Sequence, residues 1–351
     1  MSNHGPGRTI PIGGGRVVRT TPVFDSYWRF AWARQEVFAR RIAGAPAPWT
    51  DDPIIAGHRF TNAYRASDRV SQYLIGRVIY DGPQTPDEIF FRVLLFKIFN
   101  RIETWELLLR RLGEQPSWKE FDVERYARIF DAAMACQARL YSAAYIMPSP
   151  PFGHARKHRN HLLLLDLMMR DGAPTRVARA RTLQEVYEIL LAYPSLGGFL
   201  AFQFAIDLNY SAIIDFSEMD FVVAGPGARD GIRKCFADTA GLSEAEIISV
   251  MARIADQEFE RLGLDFKRLG NRRPLQLIDC QNLFCETDKY ARVAHPEYSG
   301  TSGRTRIKQK FSENSAPLPQ FYPPKWGLGR LRRTAQPAAR RQLSLELTSA
   351  E

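Results

Sequence analysis

The sequence predicts a mainly α protein, on three observations. Apolar residues recur every three or four positions through most of the chain, the spacing of helices with one buried face. No run of alternating apolar and polar residues reads as a series of strands. No self-similarity at a solenoid period is found, so the helices should pack as a globular body. The 351 residues suit one or two closely packed lobes, and 45% hydrophobic residues can fill a large core. Lys and Arg number 48 against 38 Asp and Glu, and the resulting +10 favours a polyanionic partner over an acidic small molecule. Cys136, Cys235, Cys280 and Cys285 have no CxxC spacing, and no charged-then-apolar leader precedes them. A reducing, cytoplasmic setting without metal or cofactor is therefore expected. The apolar runs are too short and too interrupted by charge for a membrane span.

Residues 1–21, rich in Gly, Arg and small side chains, are expected to form a disordered basic arm. Residues 24–42 place Tyr27, Trp28, Ala31, Trp32 and Phe38 at helical spacing, as core or, for Trp28 or Trp32, as a platform for a stacked base. Residues 58–80 set Asn62, Arg65, Asp68, Arg69 and Gln72 along one side of a predicted helix. That side is either a solvated face or a hydrogen-bonding surface. Residues 88–112 read as one helix, apolar almost all round, in which Lys97 and Asn100 must either cap neighbouring elements or face a pocket. A further amphipathic helix is expected over residues 121–146. His154, His158 and His161 fall at helical spacing, but Arg156, Lys157 and Arg159 between them fit a phosphate-facing surface better than a metal site. Ser243 with Glu246 signals a helix start. Residues 275–293 carry a second polar cluster, Asp279, Gln281, Asn282, Glu286, Lys289 and Tyr290, as pocket wall or internal salt-bridge network. The ordered body is expected over 22–311, followed by a polar, basic, largely flexible tail over 312–351.

The chain is organised around residues 188–232. A helix breaks at Tyr193 and Pro194, resumes after Gly197 and Gly198, and leads to an acidic segment ending at Asp220, followed by the turn of Gly225, Pro226 and Gly227. Such a glycine hairpin either simply separates two helices or exposes the backbone N–H groups of the second one to a phosphate. Leu196, Gly197, Gly198, Phe199 and Ala201, with Gly225 and Gly227, are the candidates for DNA-backbone contact.

Residues 193–201, YPSLGGFLA, resemble the hairpin of the helix-hairpin-helix DNA glycosylase superfamily, with Ser195 at its first glycine and Leu200 at its threonine. The blocks FTNAYRASDRVSQYL, FRVLLFKIFNRIETWELL, FLAFQFAIDLNYS, SEMDFVVAGPGA and DCQNLFCETDKYAR resemble the α-glutamyl/putrescinyl thymine pyrophosphorylase family, related to the helical domain beside hydroxymethyluracil DNA kinases. The likeness covers residues 22–311. It implies a two-lobed helix-hairpin-helix fold, a double-stranded DNA partner carrying modified phage bases, and similarity to an antiphage glycosylase that excises glucosylated hydroxymethylcytosine.

On that resemblance the expected enzyme is a monofunctional DNA N-glycosylase that flips the modified nucleotide and leaves an abasic site. Asp220 is the expected catalytic acid, with Asp215 at a similar interval and Asp279 in reserve. Phe199 stands where strand-nicking relatives carry lysine. The base pocket is expected from Trp28, Asn62, Arg65, Asp68, Arg69, Gln72, Lys97, Asn100, Gln203, Asp207 and Asn209. Two alternatives stay open: a transferase or pyrophosphorylase of base hypermodification, and a non-catalytic reader of modified DNA. A kinase is disfavoured because the sequence contains no GxxxxGK[ST] loop.

Overall fold

A computed structural model describes residues 7–313 and 320–328. Strands β1 (Thr9–Gly13) and β2 (Arg16–Thr20) come first, where a disordered arm is expected. Three consecutive glycines at positive φ make the turn between them, and Ile10 and Val18 are turned inward. With only five residues each, the strands are too short for alternation to stand out from the surrounding arginines. Arg8 anchors the hairpin to Glu258 at 3.0 Å.

Helix α1 (Pro22–Ile42) starts where the Thr21 side chain accepts from the Val23 amide and Pro22 supplies a pre-set φ. A short α2 (Pro53–Gly57) is capped by Asp52. The single helix expected over residues 58–80 is broken up. Residues 58–64 run without helix, a 3-10 turn covers Arg65–Ser67, α3 spans Arg69–Tyr73, and a π-helical stretch follows over Leu74–Ile79. The cause is local: Asp68 accepts from the Asn62 amide at 2.7 Å, and Asn62 donates to the Ser67 carbonyl at 2.9 Å. These side chains compete with a helical ladder.

The helix expected over 88–112 is likewise two, α4 (Pro86–Phe99) and α5 (Ile102–Leu112), separated at Asn100 with φ of 48°. Asparagine tolerates this left-handed conformation, and its side chain also accepts from Lys97. Next, α6 (Val123–Ala135) stops well before residue 146, and a long loop over 136–156 leads to α7 (Lys157–Arg170). Then come α8 (Ala173–Arg179), α9 (Leu183–Leu191), α10 (Gly198–Asn209) and α11 (Pro226–Cys235). Strand β3 (Phe236–Asp238) pairs antiparallel with β2, giving the order β1-β2-β3. The capping box of Ser243 and Glu246 starts α12 (Glu244–Arg261), and α13 (Leu277–Ala294) completes the helices.

The protein is mainly α, and one continuous apolar cluster joins all these elements. Helices α4 and α10 are buried on nearly every side, and α13 packs along α11. Residues 320–328, expected in a flexible tail, instead lie on the body: Phe321 donates its amide to Gln72, and the Trp326 ring meets Tyr210. Buried Tyr322 and Leu328, with Trp326 packed against the apolar cluster, join this segment to the core despite its polar flanks. Residues 329–351, with Arg330, Arg332, Arg333, Arg340 and Arg341, lie outside the described residues. Among the described residues no helix is long and apolar enough to cross a membrane.

The inward-facing hairpin is open to a simple test. Val18 is fully buried, so Val18→Ala should destabilise the fold by about 2 kcal/mol in urea unfolding. A disordered arm would show no change.

Candidate nucleic-acid and base site

Between α9 and α10 the chain turns through Ser195 with φ of 65°, the left-handed geometry for which glycine is the easiest residue. Tyr193 clamps this turn, donating its hydroxyl to Asp171 at 2.7 Å and accepting from Arg176 at 2.6 Å. Gly197, exposed and in extended conformation, precedes α10, and no side chain caps the helix there. Gly198 and Phe199 follow half-buried, whereas Leu196 and Ala201 are buried in the core. The N-terminus of α10 is thus the accessible part of the hairpin, and its uncapped amides with the helix dipole suit an anion.

Gly225 and Gly227, expected to contact the DNA backbone, lie close against neighbouring side chains. A Cβ on Gly225 would lie 2.6 Å from the Phe199 ring, and one on Gly227 would lie 2.8 Å from Cys285 Sγ. Both glycines allow close packing, and Gly225 is itself buried.

Beneath Phe199, α10 turns Gln203, Asp207 and Tyr210 inward at spacings of four and three. Asp207 has no exposed surface. Its Oδ1 lies 2.8 Å from Arg65 Nη1, and its Oδ2 lies 3.1 Å from Lys97 Nζ. Arg65 also donates to Gln203 at 3.0 Å and to the Tyr210 hydroxyl at 3.1 Å, and Lys97 donates to Asn100 at 2.9 Å. Gln203 continues the chain to Gln281 at 3.4 Å. Arg65, Lys97, Asn100, Gln203 and Asp207, five of the expected pocket residues, therefore form one buried column. Two cations face one carboxylate there. Burial works to lower Arg65, but Asp207 and the Tyr210 and Tyr145 hydroxyls outweigh it and push the guanidinium well above its ordinary value. Burial lowers Lys97, with Asp207 opposing the shift.

Asp279 supports the column from α13. Its Oδ1 accepts the Arg65 amide at 2.8 Å, and its Oδ2 accepts the Gln276 amide at 3.0 Å. Burial, and then the charge of Glu218, raise its carboxyl to about 7. Glu218 is buried 3.1 Å from Arg273, and its other oxygen has no hydrogen-bond partner in the structure. Asp220 stands elsewhere. It is exposed, held by its amide to the Ser217 carbonyl, next to a Phe221 ring that packs on Tyr187 and Phe202. No hydrogen bond or ion pair among the described residues joins it to the column. Asp215 is also exposed and faces Lys325 at 3.4 Å.

The remaining expected pocket residues are engaged in holding the fold. Trp28 is fully buried among Phe24, Tyr27 and Phe259, which leaves no ring face open to a base. Trp32 is half-buried. Asn62 accepts from Arg34, Gln72 donates to the Ala66 carbonyl, and Asn209 brackets Phe216 with two hydrogen bonds. Arg69 is exposed at the start of α3. Within 275–293, Glu286 pairs with Lys289 and accepts the Thr61 amide, Asn282 donates to Thr61, and Tyr290 donates to Asp52. This part is a structural network. His158 meets Asp131, His161 sits between the Tyr141 hydroxyl and the Pro148 carbonyl, and His154 is exposed. Arg179 and Arg181 remain exposed at the junction of α8 and α9.

Tyr145, Tyr210 and Glu218 were not foreseen as site residues. Tyr210 continues the inward spacing of Gln203 and Asp207, a signal present in the sequence. Tyr145 lies in an aperiodic loop, and Glu218 in a short connector.

Two measurements test this electrostatic arrangement. Asp207→Asn leaves Arg65 and Lys97 without their counter-charge and should cost about 3–5 kcal/mol in denaturant unfolding. For Asp279, a folded value near 7 against an ordinary 3.8 means the folded protein keeps a proton that the unfolded chain has released between those pH values. Its stabilisation is therefore full below about pH 4 and is lost as pH rises through 7. Asp279→Asn should flatten the stability profile across that window.

Comparison with known proteins identifies the scaffold. Residues 21–300 match the family described as "5-hmdU DNA kinase, helical domain". The 5-hmdU DNA kinase of Bacillus phage SP10 is 26% identical over 287 residues, covering 76% of this chain and 45% of the phage protein. The chain thus spans less than half the length of that relative. No solved structure matches it. These findings correct the expectation of a DNA N-glycosylase: the named relative is a kinase, a group-transferring enzyme and not a hydrolase of N-glycosyl bonds. With the match running through the hairpin and every residue of the buried column, the chain belongs to the family of the 5-hmdU DNA kinase helical domain.

Proposed function

We propose that this chain binds DNA carrying a 5-substituted pyrimidine, draws that base into the Arg65–Lys97–Gln203–Asp207 column, and serves group transfer at the base. The observation that carries this reading is the imbalance of the column, in which two buried cations face one carboxylate on the buried side of α10. Such a site favours electron-rich oxygens, and a pyrimidine presents carbonyls together with its 5-substituent. The uncapped α10 terminus and exposed Arg179 and Arg181 suit the flanking phosphates. A base inside a duplex cannot reach a buried site, so the nucleotide has to leave the stack. Family membership and the phage relative's printed substrate support a modified pyrimidine in DNA. The sequence has no GxxxxGK[ST] loop, so the reading does not assign a P-loop phosphate site to this chain.

The test is incubation of the purified protein with duplexes containing 5-hmdU or thymine, followed by nucleoside mass analysis and a binding titration. The modified duplex should bind at least about tenfold more tightly, a gap of about 1.4 kcal/mol. With a competent donor, any altered base should remain joined to its sugar. Release of free base with alkali-labile sites would overturn the group-transfer reading, and equal binding of both duplexes would overturn recognition itself. Retention without chemical change would reduce the assignment to a reader.

A further inference from the structure

Loop 136–156 places Tyr145 directly in the mouth of the column. Its ring lies against Phe199, with centroids 5.8 Å apart and planes inclined by 32°, and Lys97 Nζ stands 4.9 Å from the ring centroid. Its hydroxyl donates to Gln203 at 3.4 Å. Phe199 in turn closes on Gly225, and Gln281 Nε2 lies 3.5 Å from the position of a Cβ there. An aromatic six-membered ring with a polar group at its far end thus fills a slot with an aromatic wall, a cation on the ring face and two buried amides at its inner end.

The hydroxyl is held weakly. A donor–acceptor distance of 3.4 Å is at the long end for a hydroxyl. Around it Ala143, Ala144 and Ile146 are exposed, with Ile146 87% accessible. The segment is fixed at its ends, by the Ser142 amide on the Phe99 carbonyl and by buried Met147. Rotation between those two anchors would lift Tyr145 out while leaving α6 and α7 in place.

We propose that Tyr145 occupies the seat of the extruded pyrimidine, so that the base binds by displacing it. A pyrimidine ring matches the phenol in size. It would stack on Phe199, exchange the contact of the ring face with Lys97 for a hydrogen bond to a base oxygen, and present its pairing edge to Gln203 and Gln281, whose amides offer both donor and acceptor. Until then the tyrosine keeps water from Arg65 and Lys97. This inference rests on the reading that the column receives a modified pyrimidine.

The experiment compares wild type, Tyr145→Ala and Tyr145→Phe in the full chain, by anisotropy titration of duplexes with one 5-hmdU or thymine. If the ring competes with the base, Tyr145→Ala removes the cost of opening and should tighten the modified duplex about tenfold with the thymine duplex unchanged. Tyr145→Phe, which keeps the ring and loses only the Gln203 contact, should fall between and guards against an effect of misfolding. Wild type that discriminates, with Tyr145→Ala unchanged or weaker, would overturn the displacement proposal alone. Equal binding of both duplexes by all three proteins would overturn the underlying reading and this inference with it.

Discussion

A carboxylate with no exposed surface needs partners for its oxygens, and Asp207 has a cation on each. That requirement fixes much of the fold around it. Arg65 must come from the start of a short 3-10 turn, because its backbone amide is needed by Asp279 while its side chain reaches α10. Lys97 must sit one turn from the end of α4, where Asn100 can hold it while breaking the helix. Helix α10 must be buried on every side to keep the pair dry. Three elements, the Arg65 turn, α4 and α10, thus meet at one charged group, and none can shift without exposing or orphaning an ion.

The same cluster is poor as pure scaffolding. Buried ion pairs of this kind often contribute little net stability compared with apolar packing, and an excess cation worsens the balance. Holding Lys97 beside Arg65 therefore works against the stability of the fold. The network around Asp288 repeats the arrangement with Lys234 and Arg292; what separates the column is the cover of Tyr145, whose ring lies against Phe199 and over Lys97.

Much of this was legible in the sequence because it breaks local rules. Lys97, Asn100, Gln203 and Asp207 interrupt otherwise apolar helices, and polar groups there need partners. The hairpin was readable from its glycines and proline, although Ser195 bends through left-handed space where glycine would be easier. The strand pair at residues 9–20 was not, since five-residue strands between arginines carry too little alternation. Asn62 and Asp68 misled for a physical reason: at helical spacing they read as one face, whereas their short side chains bond the nearby backbone and prevent that helix. Asp220 stands out by its interval from the hairpin and the glycine turn that follows it, and neither distinguishes an exposed acid from the buried Glu218 two residues earlier.

The column also imposes an order on biosynthesis. Its parts lie at residues 65, 97, 203 to 210 and 279 to 281, and Trp326 closes against both Tyr210 and Arg273. While the chain leaves the ribosome, Arg65 and Lys97 must stay hydrated until α10 emerges, and Arg65 lacks its backbone partner until α13 follows. The interior of this protein can therefore dehydrate only once α13 has been made, and a nascent chain stalled before α13 would present an open, charged cleft to the cell.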